Sequence, residues 1–171
     1  MKVFRRLKPT ATQAPCALTI GNFDGVHRGH QALLHKLVEG AHTRHLNSCV
    51  LTFEPHPREF FSPHDAPPRI QNIRDKLMAL KQYEVDTIAI EEFNQAFSQL
   101  SPTEFVQEIL IRKLNTKWLL IGDDFCYGAK RAGNFESLVA AGKQLSGKAK
   151  VALPVMVSVG NVEYKAEPPE T

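Results

Sequence analysis

Residues 21–30 read GNFDGVHRGH, with three glycines and two histidines in ten positions. This stretch follows the apolar run CALTI at 16–20 and leads into residues 33–41, where apolar side chains recur with helical spacing. The pattern predicts a strand, a tight glycine-rich loop and a helix. In that arrangement several backbone N–H groups and the positive end of the helix dipole point at one spot, which suits a bound anion.

The same stretch carries two histidines, His27 and His30, three residues apart. This spacing places both imidazoles on one helix face, where they could donate to a phosphate chain. A solvated helix face or a capping pair would show the same spacing. Half of a zinc site would need further ligands, and Cys16, Cys49 and Cys126 have no C-x-x-C spacing, so we exclude zinc here.

Length and composition indicate one globular domain. The chain has 171 residues, of which 43% are hydrophobic and 23% charged. No apolar run approaches a membrane span, and no secretory signal follows the basic N-terminus. The net charge of +3 suits an anionic small molecule better than a nucleic acid. Three scattered cysteines indicate reduced thiols and a cytoplasmic location.

Two further loops combine groups that can bind a ligand. The apolar run at 49–53 ends in EPHPREFF (54–61), whose prolines stiffen a loop that could hold a flat ring, although an ordinary proline turn is equally consistent. The run KWLLI (117–121) ends in GDDFCYGAKRAG (122–133), which joins acidic, aromatic and cationic residues. Its Asp-Asp pair could form a solvated turn or help to orient Mg²⁺.

Strands alternate with helices along the chain, which predicts an α/β fold with a mainly parallel sheet covered on both faces. Ligands bind such sheets at the carboxyl ends of the strands, where all three loops are expected. Residues 1–15 form a lead-in that could hold a short edge strand. The predicted strands are 16–21, 49–53, 86–90, 117–121 and 151–155. The predicted helices are 28–45, 70–82, one capped by Ser101 that extends to Leu114, and one that includes Phe135, Leu138, Val139 and Leu145.

The three loops together resemble one family. G-x-F-D-G-V-H-x-G-H at 21–30, T-F-x-P-H-P at 52–57 and G-x-D-F-x-aromatic-G-x-x-R-x-G at 122–133 are similar to motifs of the FAD synthetase module of prokaryotic bifunctional riboflavin kinase/FAD synthetases. That module belongs to the nucleotidylyltransferase superfamily. The resemblance implies a Rossmann-like nucleotidylyltransferase fold. It also implies transfer of AMP from ATP to FMN, forming FAD and pyrophosphate, with Mg²⁺ bound through the ATP phosphates and its protein ligand unknown.

The resemblance also implies roles for individual residues. The catalytic residues would be Asn22, His27 and His30. The ATP-binding residues would be Gly21, Asn22, Phe23, His27, Gly29, His30, Gly122, Asp124 and Arg131. The flavin-binding residues would be Pro55, His56, Pro57, Phe61, Asp124 and Tyr127.

The chain departs from the family pattern after residue 160. The family continues with a Ser-Ser-Thr-x-x-Arg segment that grips phosphate and then a riboflavin kinase domain, whereas residues 163–167 read EYKAE. We therefore expect an FAD synthetase domain at 1–160, a disordered tail at 161–171 and no riboflavin kinase domain. Two alternatives stay open: a non-catalytic nucleotide- or flavin-binding remnant, and an adenylyltransferase that acts on another phosphorylated small molecule.

Overall fold

A computed structural model gives the fold of most of the chain. It describes residues 1–5, 14–23, 28–65, 72–121, 126–134, 136–138, 140–141, 155–159 and 162–165. Within these ranges, side chains are described except at residues 28, 29 and 58 and in the last two ranges. His27, Gly122 and Asp124 lie outside the described residues, as does most of the predicted strand 151–155.

Seven strands form one sheet. In chain order they are β1 (Lys2–Arg5), β2 (Cys16–Ile20), β3 (Asn47–Glu54), β4 (Thr87–Glu92), β5 (Thr116–Ile121), β6 (Val155–Val159) and β7 (Val162–Lys165). Their order across the sheet is β1-β4-β3-β2-β5-β6-β7, and every neighbouring pair is parallel except β6 and β7. The chain steps outward from β2 to β3 and β4 and then returns to add β5 beside β2. The topological switch point therefore lies between β2 and β5.

Helices connect the strands. They are α1 (Arg28–Thr43), α2 (Pro57–Phe61), α3 (Ile73–Lys81), α4 (Gln95–Ser98) and α5 (Pro102–Glu104), which continues as a π-helical segment (Phe105–Lys113). Residues 136–138 and 140–141 are also helical. The Ser101 side chain caps α5 by accepting from the Glu104 N–H, which confirms the predicted cap. The short helices α2 and α4 and the π-helical geometry were not predicted.

Each face of the sheet has its own apolar core, because alternate residues of a strand point to opposite faces. Cys16, Leu18 and Ile20 of β2 pack with the π-helical segment and the helical residues near Leu138. Ala17 packs on the opposite face, beneath α1 and α3. The predicted α/β fold, with a mainly parallel sheet covered on both faces, is confirmed, and β1 is the short edge strand expected in the lead-in.

Val162–Lys165 lies within the segment 161–171 that the sequence indicated as a disordered tail. These residues form β7, which pairs antiparallel with β6 in a register that joins Val159 to Val162. Val162 and Tyr164 are good strand formers, and the intervening Gly-Asn dipeptide is a hairpin signal that we overlooked. Pairing with β6 therefore places part of this segment at the edge of the sheet. Residues 166–171 lie outside the described residues.

A tight contact joins α1 to β5. Trp118 is 1% exposed, and a Cβ built on Gly40 would lie 2.4 Å from its Cη2 atom. The Arg44 guanidinium lies 4.3 Å from the centroid of the same ring and donates to the Gly40 carbonyl. Gly40 is thus required by packing, because any larger residue would overlap the indole.

We predict that Gly40→Ala destabilises the protein by about 1–3 kcal/mol, because it overpacks the contact with Trp118. A loss of stability would be evidence for the contact with Trp118, because Gly→Ala in an exposed helix raises the free energy of unfolding by about 1 kcal/mol. Urea denaturation monitored by circular dichroism measures the free energy of unfolding. Glu39→Ala, on the exposed side of the same helix, is the control and should be nearly neutral. A more stable Gly40→Ala protein would contradict the packing argument.

A partly buried ion pair joins β4 to the end of the π-helical segment. Lys113 Nζ lies 3.2 Å from Glu91 Oε1, and Glu91 is 8% exposed. Burial raises the pKa of Glu91 above its ordinary value of 4.5, and Lys113 offsets only part of that shift. The folded protein therefore holds this proton more tightly than the unfolded chain does.

We predict that the Glu91 carboxyl lowers the free energy of unfolding as pH rises from 4.5 through its raised pKa. In this pH range the unfolded chain has already lost the Glu91 proton, whereas the folded protein still holds it. In Glu91→Gln the decline over that window should be smaller. Urea denaturation at closely spaced pH values measures both slopes. Equal slopes for the two proteins would show that burial of Glu91 does not shift its proton equilibrium.

Candidate functional site

The three loops singled out in the sequence leave adjacent strands at one edge of the sheet. β2 lies between β3 and β5, all three are parallel, and their carboxyl ends lead into residues 21–30, 54–61 and 122–133. The first and third loops flank the switch point, where ligands of open α/β sheets bind. The sequence predicted only that each loop follows a strand. The order of strands in the sheet shows that the three loops follow neighbouring strands.

The first loop begins with a buried aromatic ring. Phe23 has a left-handed backbone (φ 49°), is 1% exposed, and packs into the core beneath α1 and α3. A Cβ on Gly21 would lie 2.8 Å from the Phe23 ring, so only glycine fits there. Phe23 was predicted to bind ATP. Its buried side chain instead supports the loop, which leaves its backbone as the part that could approach a ligand.

His30 lies in the first turn of α1, and its ring contacts Phe23. The two ring centroids are 5.0 Å apart with an interplanar angle of 55°. His30 is half-buried, and Gly29 precedes it on the helix. The N-terminus of a helix attracts anions through its free N–H groups and its dipole. This position allows His30 to donate to an anion bound there.

Asn22 connects the first loop to the sheet. Its carbonyl accepts a hydrogen bond from Thr52 Oγ1 at 3.3 Å. Its side-chain Oδ1 is buried and has no hydrogen-bond partner within the described part of the chain. A buried polar atom of this kind is costly unless a ligand or water satisfies it. Asn22 is therefore suited to bind a polar ligand group, and its predicted contact with ATP stays a prediction.

The second loop opens on Glu54–Pro55, whose peptide bond is cis, and continues into α2. The His56 carbonyl accepts from the N–H groups of Glu59 and Phe60, so it starts the helix. Pro55, His56 and Pro57 are half-buried, whereas Phe61 is 65% exposed. Of the predicted flavin-binding residues, Phe61 therefore presents the most accessible aromatic surface.

An aromatic cluster links the second loop to the third. We define it as Phe53, Phe60, Phe61, Phe93, Phe97, Phe105 and Tyr127. Neighbouring ring centroids lie 5.2–6.1 Å apart, mostly in edge-to-face geometry. Phe93 and Phe97 were missed in the sequence, although both follow β4 at the same edge of the sheet. The position of Phe93 just after a predicted strand could have identified it, whereas Phe97 lies in α4, which was not predicted.

The third loop is anchored by Tyr127, which is 5% exposed. Its ring packs on Phe105, its hydroxyl is 2.9 Å from Ser137 Oγ, and burial raises the pKa of that phenol. A Cβ on Gly133 would lie 2.5 Å from the ring. Tyr127 was predicted to pack on a flavin, but in this position it packs mainly within the protein. Its ligand contact stays a prediction.

Two cations follow Tyr127 on an unusual backbone. Lys130 and Arg131 both have left-handed φ angles, 55° and 54°, and both are exposed. Such conformations cost free energy in non-glycine residues and are frequent at ligand sites. Arg131, predicted to bind phosphate, is thus free to approach an anion near the carboxyl end of β5.

A buried lysine was also missed. Lys76 on α3 is 4% exposed, and its Nζ donates to Thr52 Oγ1 at 3.4 Å. It lies at a position of the amphipathic helix where the spacing of Ile73 and Leu80 calls for an apolar residue. A lysine at an apolar position of an amphipathic helix could have identified Lys76 from the sequence.

The described residues contain no group of three or more His, Cys, Asp or Glu side chains that could hold a metal ion. Cys16, Cys49 and Cys126 are free thiols. The acidic pair of the third loop lies outside the described residues, so the chain's own fit to Mg²⁺ rests on sequence alone. In the same described ranges, no helix is long and apolar enough to cross a membrane.

Comparisons with known proteins found related sequences. A family model described as FAD synthetase matches residues 9–164. A bifunctional riboflavin kinase/FMN adenylyltransferase from Haemophilus influenzae is 45% identical over 129 residues, which cover 75% of this chain and 42% of that protein. The Escherichia coli K12 protein of the same name is 43% identical over 147 residues, covering 84% and 47%. The chain thus spans less than half the length of these relatives.

A solved structure shares the fold. The crystal structure described as a macrolide-efflux protein from Streptococcus pneumoniae superposes with a TM-score of 0.77 at 23% identity. The match covers 93% of this chain and 52% of that one. At this identity the likeness supports the architecture alone.

We predict that Phe23→Leu changes the environment of His30 without unfolding the protein, because leucine fills much of the core volume but has no ring current. The His30 imidazole signals in a ¹H–¹³C NMR spectrum should move toward those of the exposed His42 and His45. His35, whose ring contacts Tyr83 at 5.4 Å, is the internal control and should not move. An unchanged His30 signal would show that the contact is absent in solution.

Proposed function

This chain belongs to the FAD synthetase family, and we propose that it transfers AMP from ATP to FMN, releasing pyrophosphate and forming FAD. One observation carries the proposal beyond family membership. The loops bearing the three motifs leave adjacent parallel strands at the switch point of the sheet, with His30 at the N-terminus of α1. Sites of this kind bind nucleotides.

In the proposed reaction an FMN phosphate oxygen attacks the α-phosphorus of ATP. A new P–O bond forms as the bond to the bridging oxygen of the β-phosphate breaks, and pyrophosphate leaves. The protein supplies no nucleophile, so catalysis is positioning and stabilisation of charge. His27, His30 and the α1 N-terminus donate to the phosphates, and Asn22 binds phosphate or ribose. Mg²⁺ bound to the ATP phosphates would neutralise part of their charge.

The remaining predicted residues divide between the two substrates. Gly21, Gly29 and Gly122 allow the backbone to approach ATP, and Arg131 binds phosphate. Asp124 contacts both substrates. The flavin ring lies against the second loop, where Pro55, His56, Pro57 and Phe61 form one wall and Tyr127 supports the other side. The exposure of Phe61 supports this arrangement, because an aromatic side chain in water is a ready stacking partner.

A second candidate is a nucleotide- or flavin-binding protein without catalytic activity. The observation that favours it is the composition of β7, where Glu163, Tyr164 and Lys165 stand in place of the Ser-Ser-Thr-x-x-Arg segment. An adenylyltransferase for another phosphorylated small molecule would keep the first loop but not need the aromatic cluster.

We place the protein in the cytoplasm. Nucleotide and flavin substrates and free cysteine thiols are both typical of that compartment.

We predict that the chain forms FAD and pyrophosphate from FMN, ATP and Mg²⁺, and that His27→Ala/His30→Ala abolishes this. Loss of one such donor costs roughly 100- to 1,000-fold in rate. Separation of FAD by chromatography, with a coupled pyrophosphate assay, measures both products. FMN binding without product would favour the non-catalytic candidate. If FMN does not bind either, the flavin assignment is wrong.

We predict that Phe61→Ala raises the KM for FMN, with little effect on the KM for ATP or on stability. Loss of an aromatic pair costs about 0.5–1.5 kcal/mol, or roughly 2- to 13-fold. Phe4→Ala is the matched control, because Phe4 is 39% exposed on the edge strand β1, three strands away from β2. Equal effects of the two substitutions would remove Phe61 from the flavin site.

A further inference from the structure

Lys76 occupies a core position of α3. The helix presents Ile73, Lys76, Leu77 and Leu80 at the spacing of one face, and Lys76 is as buried as its apolar neighbours, at 4% exposure. Burial of an ammonium group costs several kcal/mol unless polar partners compensate it. Leucine or methionine would fill this position at lower cost. The lysine is therefore expected to have a role that an apolar side chain could not fill.

A chain of hydrogen bonds starts at this lysine. Lys76 Nζ donates to Thr52 Oγ1 at 3.4 Å, and Thr52 Oγ1 donates to the Asn22 carbonyl at 3.3 Å. Thr52 is fully buried. Because Thr52 both accepts from a cation and donates onward, the two bonds strengthen each other. The cation on α3 thus acts on the backbone at the start of the first loop.

The sheet places this chain of bonds directly below the candidate site. Thr52 lies near the carboxyl end of β3, on the same face as Val50, beneath α1 and α3. Asn22 is two residues beyond the end of β2, and the next residue, Phe23, takes the left-handed backbone that turns the chain toward α1. The Asn22 carbonyl is therefore held at the point where the loop changes direction.

We propose that Lys76 is a positioning residue for adenylyl transfer. Through Thr52 it holds the Asn22 carbonyl, and so sets the path by which the loop presents Asn22 and His30 to the nucleotide. The catalytic consequence rests on the proposed function, whereas the ordering of the loop does not. Lys76 does not contact the substrates; it acts through the backbone of the residues that do.

Two substitutions separate positioning from core stability. Lys76→Met removes the charge but fills the core, so the melting temperature should stay the same or rise. Thr52→Val removes the relaying hydroxyl, and Thr52→Ser keeps it as the matched control. Amide hydrogen exchange at Asn22 and Phe23 and the His30 imidazole signals are measured without substrate. FAD formation is then measured as kcat and KM for ATP.

We expect Lys76→Met and Thr52→Val each to speed exchange at Asn22 and Phe23 roughly tenfold, the loss expected for a hydrogen bond to a charged group. Each should lower kcat by about 10- to 100-fold, because small misplacements of reacting groups cost that much. The double variant should be no worse than either single variant, since both break one chain of bonds. Thr52→Ser, which keeps the hydroxyl, should have the same exchange rates and kcat as the wild-type chain.

The proposal is overturned if Lys76→Met lowers the melting temperature but leaves exchange, the His30 signals and kcat unchanged, because Lys76 is then structural only. If Lys76→Met does not fold, Thr52→Val and Thr52→Ser are compared by the same measurements. Equal exchange, His30 signals and kcat in these two variants would then overturn the proposal. A wild-type chain that forms no FAD would count against the proposed function, while the exchange and NMR results would still decide the role of Lys76.

Discussion

The site depends on the burial of Phe23 beneath the start of α1. Its ring fills the core between α1, α3 and β2, and this burial offsets the cost of a left-handed backbone in a non-glycine residue. Gly21 leaves room for the ring, and His30 packs against it. One buried side chain thus sets the direction of the loop and the location of the imidazole. The hydrophobic core thus supports the start of α1.

The other two loops are joined by aromatic packing. The aromatic cluster runs from Phe61 on the surface, through Phe93 and Phe97, to Tyr127 in the core. Such contacts are weak one by one and stabilise the edge of the sheet together. The cluster explains how a loop after β3 can be coupled to a loop after β5, although β2 lies between these strands. In the proposed function it forms the flavin side of the site.

Buried polar groups have a separate role at this edge. Lys76, Thr52 and Asn22 connect a helix, a strand and a loop through hydrogen bonds in a region that is otherwise apolar. A cation in the core specifies one arrangement more strictly than apolar packing does, because a misplaced partner leaves the charge unsatisfied. Glu91 and Lys113 make a comparable connection between β4 and the π-helical segment.

From the sequence we could predict the alternation of the main strands and helices, the parallel sheet, the Ser101 cap and the three motif-bearing loops, because these follow from local periodicity, glycine spacing and capping chemistry. The strand at Val162–Lys165 could not be predicted in this way, since it forms by pairing with β6. The same holds for the burial of Tyr127, the aromatic cluster and the hydrogen bond from Lys76 to Thr52. These depend on contacts between residues far apart in the chain, and local patterns do not carry that information.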